Sequence, residues 1–286
     1  MQNMDRLYDA VQAKGPVCVG LDTDFSYLPE GYSAAKETKG EAIVRFNKEI
    51  VDATMENAGC YKVQIAYYEA LGIDGMTAYA KTLAYLRDKK LLAIADIKRG
   101  DIAKTAEMYA KAHFEGEFAA DFITLAPYMG LDSIEPYTPY FKEKGAFVLC
   151  RTSNGGAKDF EYAHLANGAH VYDMVGDKIS EMGAEYMGER GYSALGLVIG
   201  GTHIEEAAEI RARYKNSFFL IPGYGAQGGT AKDIAQYLKG GNGGVVNASR
   251  SILLAYKKQA NTGFAEAAYN ECKNMREAIR HECSLL

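Results

Sequence analysis

The sequence predicts an α/β protein built as a closed (β/α)8 barrel, and three observations carry that expectation. Eight short apolar runs recur along the chain, each bounded by glycine, proline or charge. Their hydrophobicity is continuous, not alternating, which fits parallel strands covered on both faces. Patterns with helical spacing lie between them, and alternation of strand and helix implies right-handed parallel crossovers. Eight such units in 286 residues fit a TIM barrel better than the competing doubly wound open sheet. No low-complexity linker or composition shift divides the chain, so residues 1–286 are expected to form a single barrel domain.

The strands are read in order as "PVCVGLD" (16–22), "CYKVQIA" (60–66), "LLAIADIK" (91–98) and "DFITLAP" (121–127). They continue as "AFVLCRTS" (146–153), "ALGLVIGG" (194–201), "FFLIPGYG" (218–225) and "GVVNASR" (244–250). The first helical stretch, 39–59, has apolar residues at helical spacing and ends on a glycine; the second, 75–90, finishes in a Lys/Arg-rich turn that suits a helix C-terminus. Stretches 170–186, 204–214, 230–241 and 263–282 behave likewise.

Composition excludes several classes. The chain is 48% hydrophobic and 24% charged, with a formal net charge of -5 and no basic stripe, so no nucleic-acid partner is expected. "MQNMDRLYDAVQAKG" is polar and mixed in charge, unlike a signal peptide, and the apolar runs are too short to span a bilayer. A cytoplasmic protein with no membrane partner is expected. The five cysteines include no C-x-x-C pair and read as buried free thiols. The five histidines show no zinc-binding spacing and read mostly as exposed helix residues, so no metal is expected. "RGD" (99–101) is an adhesion signal only on an exported protein.

Functional groups of such barrels stand at the C-terminal ends of the strands. Strand one ends at Asp22, strand two carries Lys62 inside an apolar run, and strand three runs into "ADIKRGDI" (95–102). Asp96 and Lys98 should share a face, because strand side chains alternate with period two, and the charges should stand at the barrel rim, not in the core. A lone Lys62 would be a lysine snorkelling to water. Beside an Asp-x-Lys pair at similar depth it reads as part of a self-neutralising row of Lys62, Asp96, Lys98 and Asp101. A lysine flanked by carboxylates keeps its proton, which suits a general acid delivering a proton to carbon and suits a Schiff-base lysine poorly.

Strand five ends in "RTSN" with Ser153, and strand seven runs into "PGYGAQGG". Gly223, Gly225 and Gly228 match G-x-G-x-x-G, but no acid follows near position 248 and no Gly-Lys-Ser/Thr is present. The glycines read instead as a loop offering N–H groups to a phosphate, with Arg250 of "NASR" supplying a fixed charge. The alternative for Arg250 is a surface salt bridge.

"DIKRGDIAKTA" resembles the Asp-x-Lys-x-x-Asp signature of the orotidine 5′-monophosphate decarboxylase family. With "KVQIAYYEALG", "APYMGLDSI", "RTSN" and "PGYGAQGG", the chain is similar to the longer bacterial branch of that family from Asp22 to Arg250. The resemblance implies that orotidine 5′-monophosphate loses carbon dioxide to give UMP in pyrimidine biosynthesis, with no metal or organic cofactor. It implies that Lys98 protonates C6 of the pyrimidine, that Asp96 and the partner subunit's Asp101 flank the substrate carboxylate, and that Lys62 completes the charge row and touches the ribose. Asp22 would bind ribose hydroxyls, Thr105 would reach across a homodimer interface into a shared active site, and Ser153 would contact the base. Gln227 and Arg250 would hold the 5′-phosphate, with the loop carrying Gln227 as a lid. One departure is visible: where the family often has Gly or Pro and then a small residue after "DI", this chain has Ala103 and Lys104, which bears on the path of the cross-subunit loop and on Thr105.

Three rival functions lead to different chemistry. A 3-keto-L-gulonate 6-phosphate decarboxylase resembles this family in fold and motif but uses magnesium and would want a carboxylate where strand two carries Lys62. A Schiff-base aldolase would want a lysine that gives up its proton. A catalytically silent nucleotide-binding or assembly protein would have no use for the full set of charges.

Overall fold

The eight apolar runs form eight parallel strands: β1 (Val17–Gly20), β2 (Cys60–Gln64), β3 (Ala93–Arg99), β4 (Phe122–Leu125), β5 (Gly145–Arg151), β6 (Leu195–Ile199), β7 (Phe219–Pro222) and β8 (Gly244–Ala248). They pair in sequence order, and β8 returns to β1, which closes the barrel and excludes the open sheet. The computed structural model describes residues 1–286 apart from 203, 226, 227, 260 and 261.

The helices are α1 (Asn3–Lys14), α2 (Lys39–Thr54), α3 (Ile65–Glu69), α4 (Gly72–Asp88), α5 (Ala103–Phe114), α6 (Ala157–Phe160), α7 (Val171–Gly183), α8 (Ala207–Arg213), α9 (Ala231–Ala235), α10 (Arg250–Leu253) and α11 (Phe264–Ser284). Local chemistry sets several of their ends. Thr38 and Glu41 form a reciprocal capping box at the start of α2, and Thr230 and Asp233 form another at α9. The stretch at 230–241 is helical only over Ala231–Ala235, and that at 204–214 only over Ala207–Arg213 after a 3-10 turn. Helices α1, α3, α5, α6 and α10 lie outside the stretches expected to be helical.

Apolar side chains separate into two layers. Val17, Val19, Tyr61, Val63, Ala95 and their counterparts pack outward against the helices. Cys18, Cys60, Ile94, Phe122, Phe147, Leu220 and Val245 fill the barrel with Met4, Leu7 and Val11 of α1. Asn3 N–H bonds the Glu143 carbonyl just ahead of β5, and Asn242, just ahead of β8, donates to the Tyr8 carbonyl, so α1 covers the N-terminal strand ends. The opposite end is left for polar groups. All five cysteines are free; four are buried and Cys283 is half-buried. Among the described residues, no helix is long and apolar enough to cross a membrane.

Candidate active site

Register brings the charges together. Gly20 of β1 lies opposite Lys62 of β2, and Gln64 lies opposite Asp96 of β3, so Asp22, Lys62 and Asp96 come up on neighbouring strands at adjacent levels. Lys62 Nζ stands 2.9 Å from Asp22 Oδ1 and 3.1 Å from Asp96 Oδ2, and Lys98 Nζ stands 2.6 Å from Asp96 Oδ1. The result is one unbroken row, Asp22–Lys62–Asp96–Lys98. Within one chain the row ends on Asp22, and Asp101, expected from a partner subunit, is not part of it. Asp101 Oδ1 accepts the N–H of Ile102 at 2.9 Å, and Asp101 forms no ion pair with any described residue.

Depth also differs from expectation. Lys62 is 5% and Asp96 6% exposed, so half the row is buried and only Lys98 reaches the open rim. Buried ions persist only when paired and hydrogen-bonded, and Asp96 takes four donors: Lys62, Lys98, Gln64 Nε2 at 2.8 Å and Thr124 Oγ1 at 2.8 Å. Burial pushes the Asp96 carboxyl up, but Lys62 and Lys98 outweigh it and hold the group at about 2. Burial likewise opposes the charge on Lys62, and Asp96 and Asp22 override it, raising that ammonium well above the usual lysine value. Lys62 and Asp96 therefore both stay charged at neutral pH despite their burial.

Two adjoining cavities open above it. One, of ≈ 240 Å³, is lined by Lys62, Asp96, Lys98 and Ser153 on one side and by Leu149, Val198 and Leu220 on the other. The second, of ≈ 380 Å³, is lined by Asp22, Gly223, Tyr224, Ser249 and Arg250, and shares Pro222 and Asn247 with the first. A polar-and-apolar chamber thus continues into one edged by a glycine turn and an arginine. Arg250 is exposed and forms no ion pair with a described residue, so the surface salt bridge is not seen. A larger hollow of ≈ 610 Å³ beside Asp24, Phe25 and Lys39 is more open, lies across Tyr67 and contains none of the row.

Thr105 sits exposed in the first turn of α5 and makes no hydrogen bond to the row, and Gln227 lies outside the described residues. Ala103 takes a left-handed backbone, φ +49°, at the start of α5, at the position where the departure from the family pattern was noted.

A model of the orotidine 5′-phosphate decarboxylase / HUMPS family matches residues 15–263. The chain belongs to that family. It is 60% identical over 284 residues to orotidine 5′-phosphate decarboxylase of Clostridium acetobutylicum, covering 97% of this chain and 98% of that one. To the enzyme of the same name from Clostridium perfringens it is 58% identical over 279 residues, covering 96% and 97%. The solved structure of Leishmania donovani OMP decarboxylase superposes with a TM-score of 0.77 at 31% identity, over 98% of this chain and 99% of that one.

Three residues of the site went unread in the sequence. Gln64 and Thr124 are donors to Asp96, and Ser249 Oγ donates to Asp22 Oδ2 at 2.7 Å. Ser249 passes so close to β1 that a side chain at Gly20 would stand 1.9 Å from its hydroxyl, which is why glycine precedes the Leu21–Asp22 pair. The end of β5 is fixed by Arg151, fully buried, whose guanidinium meets Glu206 at 2.9 Å, the Gly200 carbonyl at 2.7 Å and Tyr237 OH at 2.7 Å. That anchor sets where Thr152 and Ser153 leave the strand. One histidine also departs from expectation: His113 is buried at the end of α5.

Proposed function

We propose that this carboxy-lyase converts orotidine 5′-monophosphate to UMP and carbon dioxide with Lys98 as proton donor to C6 and with no metal or organic cofactor. The observation that carries the reading is the row of ion pairs ending in Lys98, whose ammonium is fixed 2.6 Å from Asp96 at the wall of a cavity with one apolar side. Decarboxylation breaks the bond from C6 to the carboxyl carbon and leaves the electron pair on C6, with no electron sink in the ring. Only a preplaced positive charge can stabilise that pair as it develops. Lys98 supplies the charge and then the proton, and Asp96 holds its ammonium in place until that moment.

The pyrimidine and its carboxylate fit the chamber holding Lys98, Asp96 and Ser153, and the ribose and 5′-phosphate fit the chamber holding Asp22 and Arg250. Phosphate binding at a distance from the reacting carbon can supply energy for events at C6. Lys62 fills the space between Asp22 and Asp96 where a magnesium-dependent relative would place a cation, which supports the metal-free reading.

Among the described residues of one chain, Asp96 is the one carboxylate paired with Lys98. The segment around Asp101 exposes Ile102 and Met108, the loop after β4 exposes Tyr128 and Met129, and Phe160 packs on Tyr128 with ring centroids 6.4 Å apart. Exposed apolar side chains of this density mark interaction surfaces. We assign them to a homodimer in which the partner subunit's Asp101 and the partner's Thr105 complete each site, and the whole chain acts as one barrel domain in the cytoplasm. Carbon dioxide release from orotidine 5′-monophosphate in EDTA tests the reading: undiminished turnover is expected, and activity that vanishes and returns only with magnesium would favour the gulonate-type alternative.

A further inference from the structure

Strand β3 does not end regularly. Its register against β4 shifts between Ala95 and Arg99, and Lys98 adopts a left-handed backbone, φ +46°, where side chains other than glycine are rarely found. A break of this kind leaves ladder N–H groups without their usual carbonyl partners. Here both are taken by a single side chain of β4: Thr124 Oγ1 accepts the N–H of Ile97 at 3.0 Å and that of Lys98 at 2.9 Å. With its two lone pairs so occupied, the hydroxyl has one proton to give, and it goes to Asp96 Oδ1 at 2.8 Å. That oxygen is the one Lys98 Nζ contacts at 2.6 Å. One hydroxyl, 1% exposed, therefore holds both the backbone from which Lys98 springs and the carboxylate oxygen on which its ammonium rests.

We infer that Thr124 is a positioning residue for Lys98, pinning the kinked end of β3 so that the ammonium is aimed into the cavity. The inference rests on the reading of Lys98 as proton donor. The hydroxyl's three bonds are a requirement on side-chain type: serine can make all of them, and valine, of nearly the same shape as threonine, can make none.

The test is steady-state kinetics of Thr124→Val and Thr124→Ser with orotidine 5′-monophosphate, with UMP binding and the pH profile of kcat measured alongside. Thr124→Val should lower kcat by about tenfold to a hundredfold, as expected for lost hydrogen bonds around a charged group. KM and UMP affinity should move by less than about threefold, because the phosphate and ribose contacts lie in the other chamber. The acid limb of its profile should shift to higher pH, since Asp96 loses a donor, a change that a merely structural loss would not produce. Thr124→Ser should restore most of kcat and the original limb. Should valine prevent folding, Thr124→Cys, which keeps the volume but bonds weakly, carries the same expectation of lowered kcat at unchanged KM. Wild-type kcat in the valine or cysteine variant, or a serine variant as impaired as valine, overturns the positioning role while Lys98→Ala remains inactive. A Lys98→Ala enzyme of near wild-type activity removes instead the reading beneath it.

Discussion

Lys62→Met removes the ammonium between Asp22 and Asp96 and leaves an unbranched side chain in its place. Asp22, with a side chain 19% exposed, can recover water, whereas Asp96, at 8%, cannot. Deleting one partner of a buried ion pair typically costs 3–5 kcal/mol. Asp96 retains Lys98, Gln64 and Thr124, so the lower end applies, about 3 kcal/mol. At roughly 2–4 °C per kcal/mol for a chain of this size, the melting temperature should fall by about 6–12 °C at pH 7. The deficit should depend on pH in one direction. A carboxyl held at about 2 when folded, against about 3.9 unfolded, contributes stability that is complete above pH 4 and disappears as pH falls toward 2. The gap between wild type and variant should therefore be widest above pH 4 and shrink below it. Adding Asp96→Asn should recover part of the loss, because the uncompensated charge is gone. Calorimetric melting across that range is the assay. A Lys62→Met protein within about 2 °C of wild type at pH 7 would refute the claim that the row is held by mutual compensation.

Two further outcomes follow from the same geometry. Mixed in equal amounts, inactive Asp101→Ala and Lys98→Ala subunits should give heterodimers with one intact site in two, or about a quarter of wild-type activity for random pairing; no recovery in any mixture would contradict the crossing of Asp101. His113 is kept neutral by burial, with Arg99 adding to the effect, and its value is pushed down to about 4. The unfolded chain therefore takes up a proton first as pH drops below about 6.5, and about 2 kcal/mol of stability should be lost by pH 5 that His113→Phe retains; equal losses in both proteins over that interval would show that His113 is not buried neutral.

The barrel was legible because parallel strands covered on both faces need continuous apolar residues, and those runs stand out from the polar stretches between them. Helix α5 was missed for the opposite reason: its buried face is Ala106, Ala110, His113 and Phe114, where only Phe114 is large and apolar, so no apolar stripe stands out. Asp96 and Lys98 could be placed in one site by strand alternation, but their contact depends on a left-handed Lys98 that nothing in "DIKRG" demands. That conformation is imposed from β4 by Thr124, distant in sequence and unremarkable within "DFITLAP". The end of the row at Asp22 was not read because motif spacing draws the eye to Asp101, close to Lys98 along the chain, while barrel register brings Asp22 to Lys62 across it. Burial of Lys62 was likewise invisible, since a lysine in an apolar run is usually found with its head in water.

The proposed reaction turns on Lys98 as the group that delivers the proton to C6. Lys98→Ala, measured for carbon dioxide release from orotidine 5′-monophosphate and for binding of UMP, tests it most directly. Turnover should be abolished while UMP still binds, because the ribose and phosphate chamber is untouched. Turnover near that of wild type would contradict it.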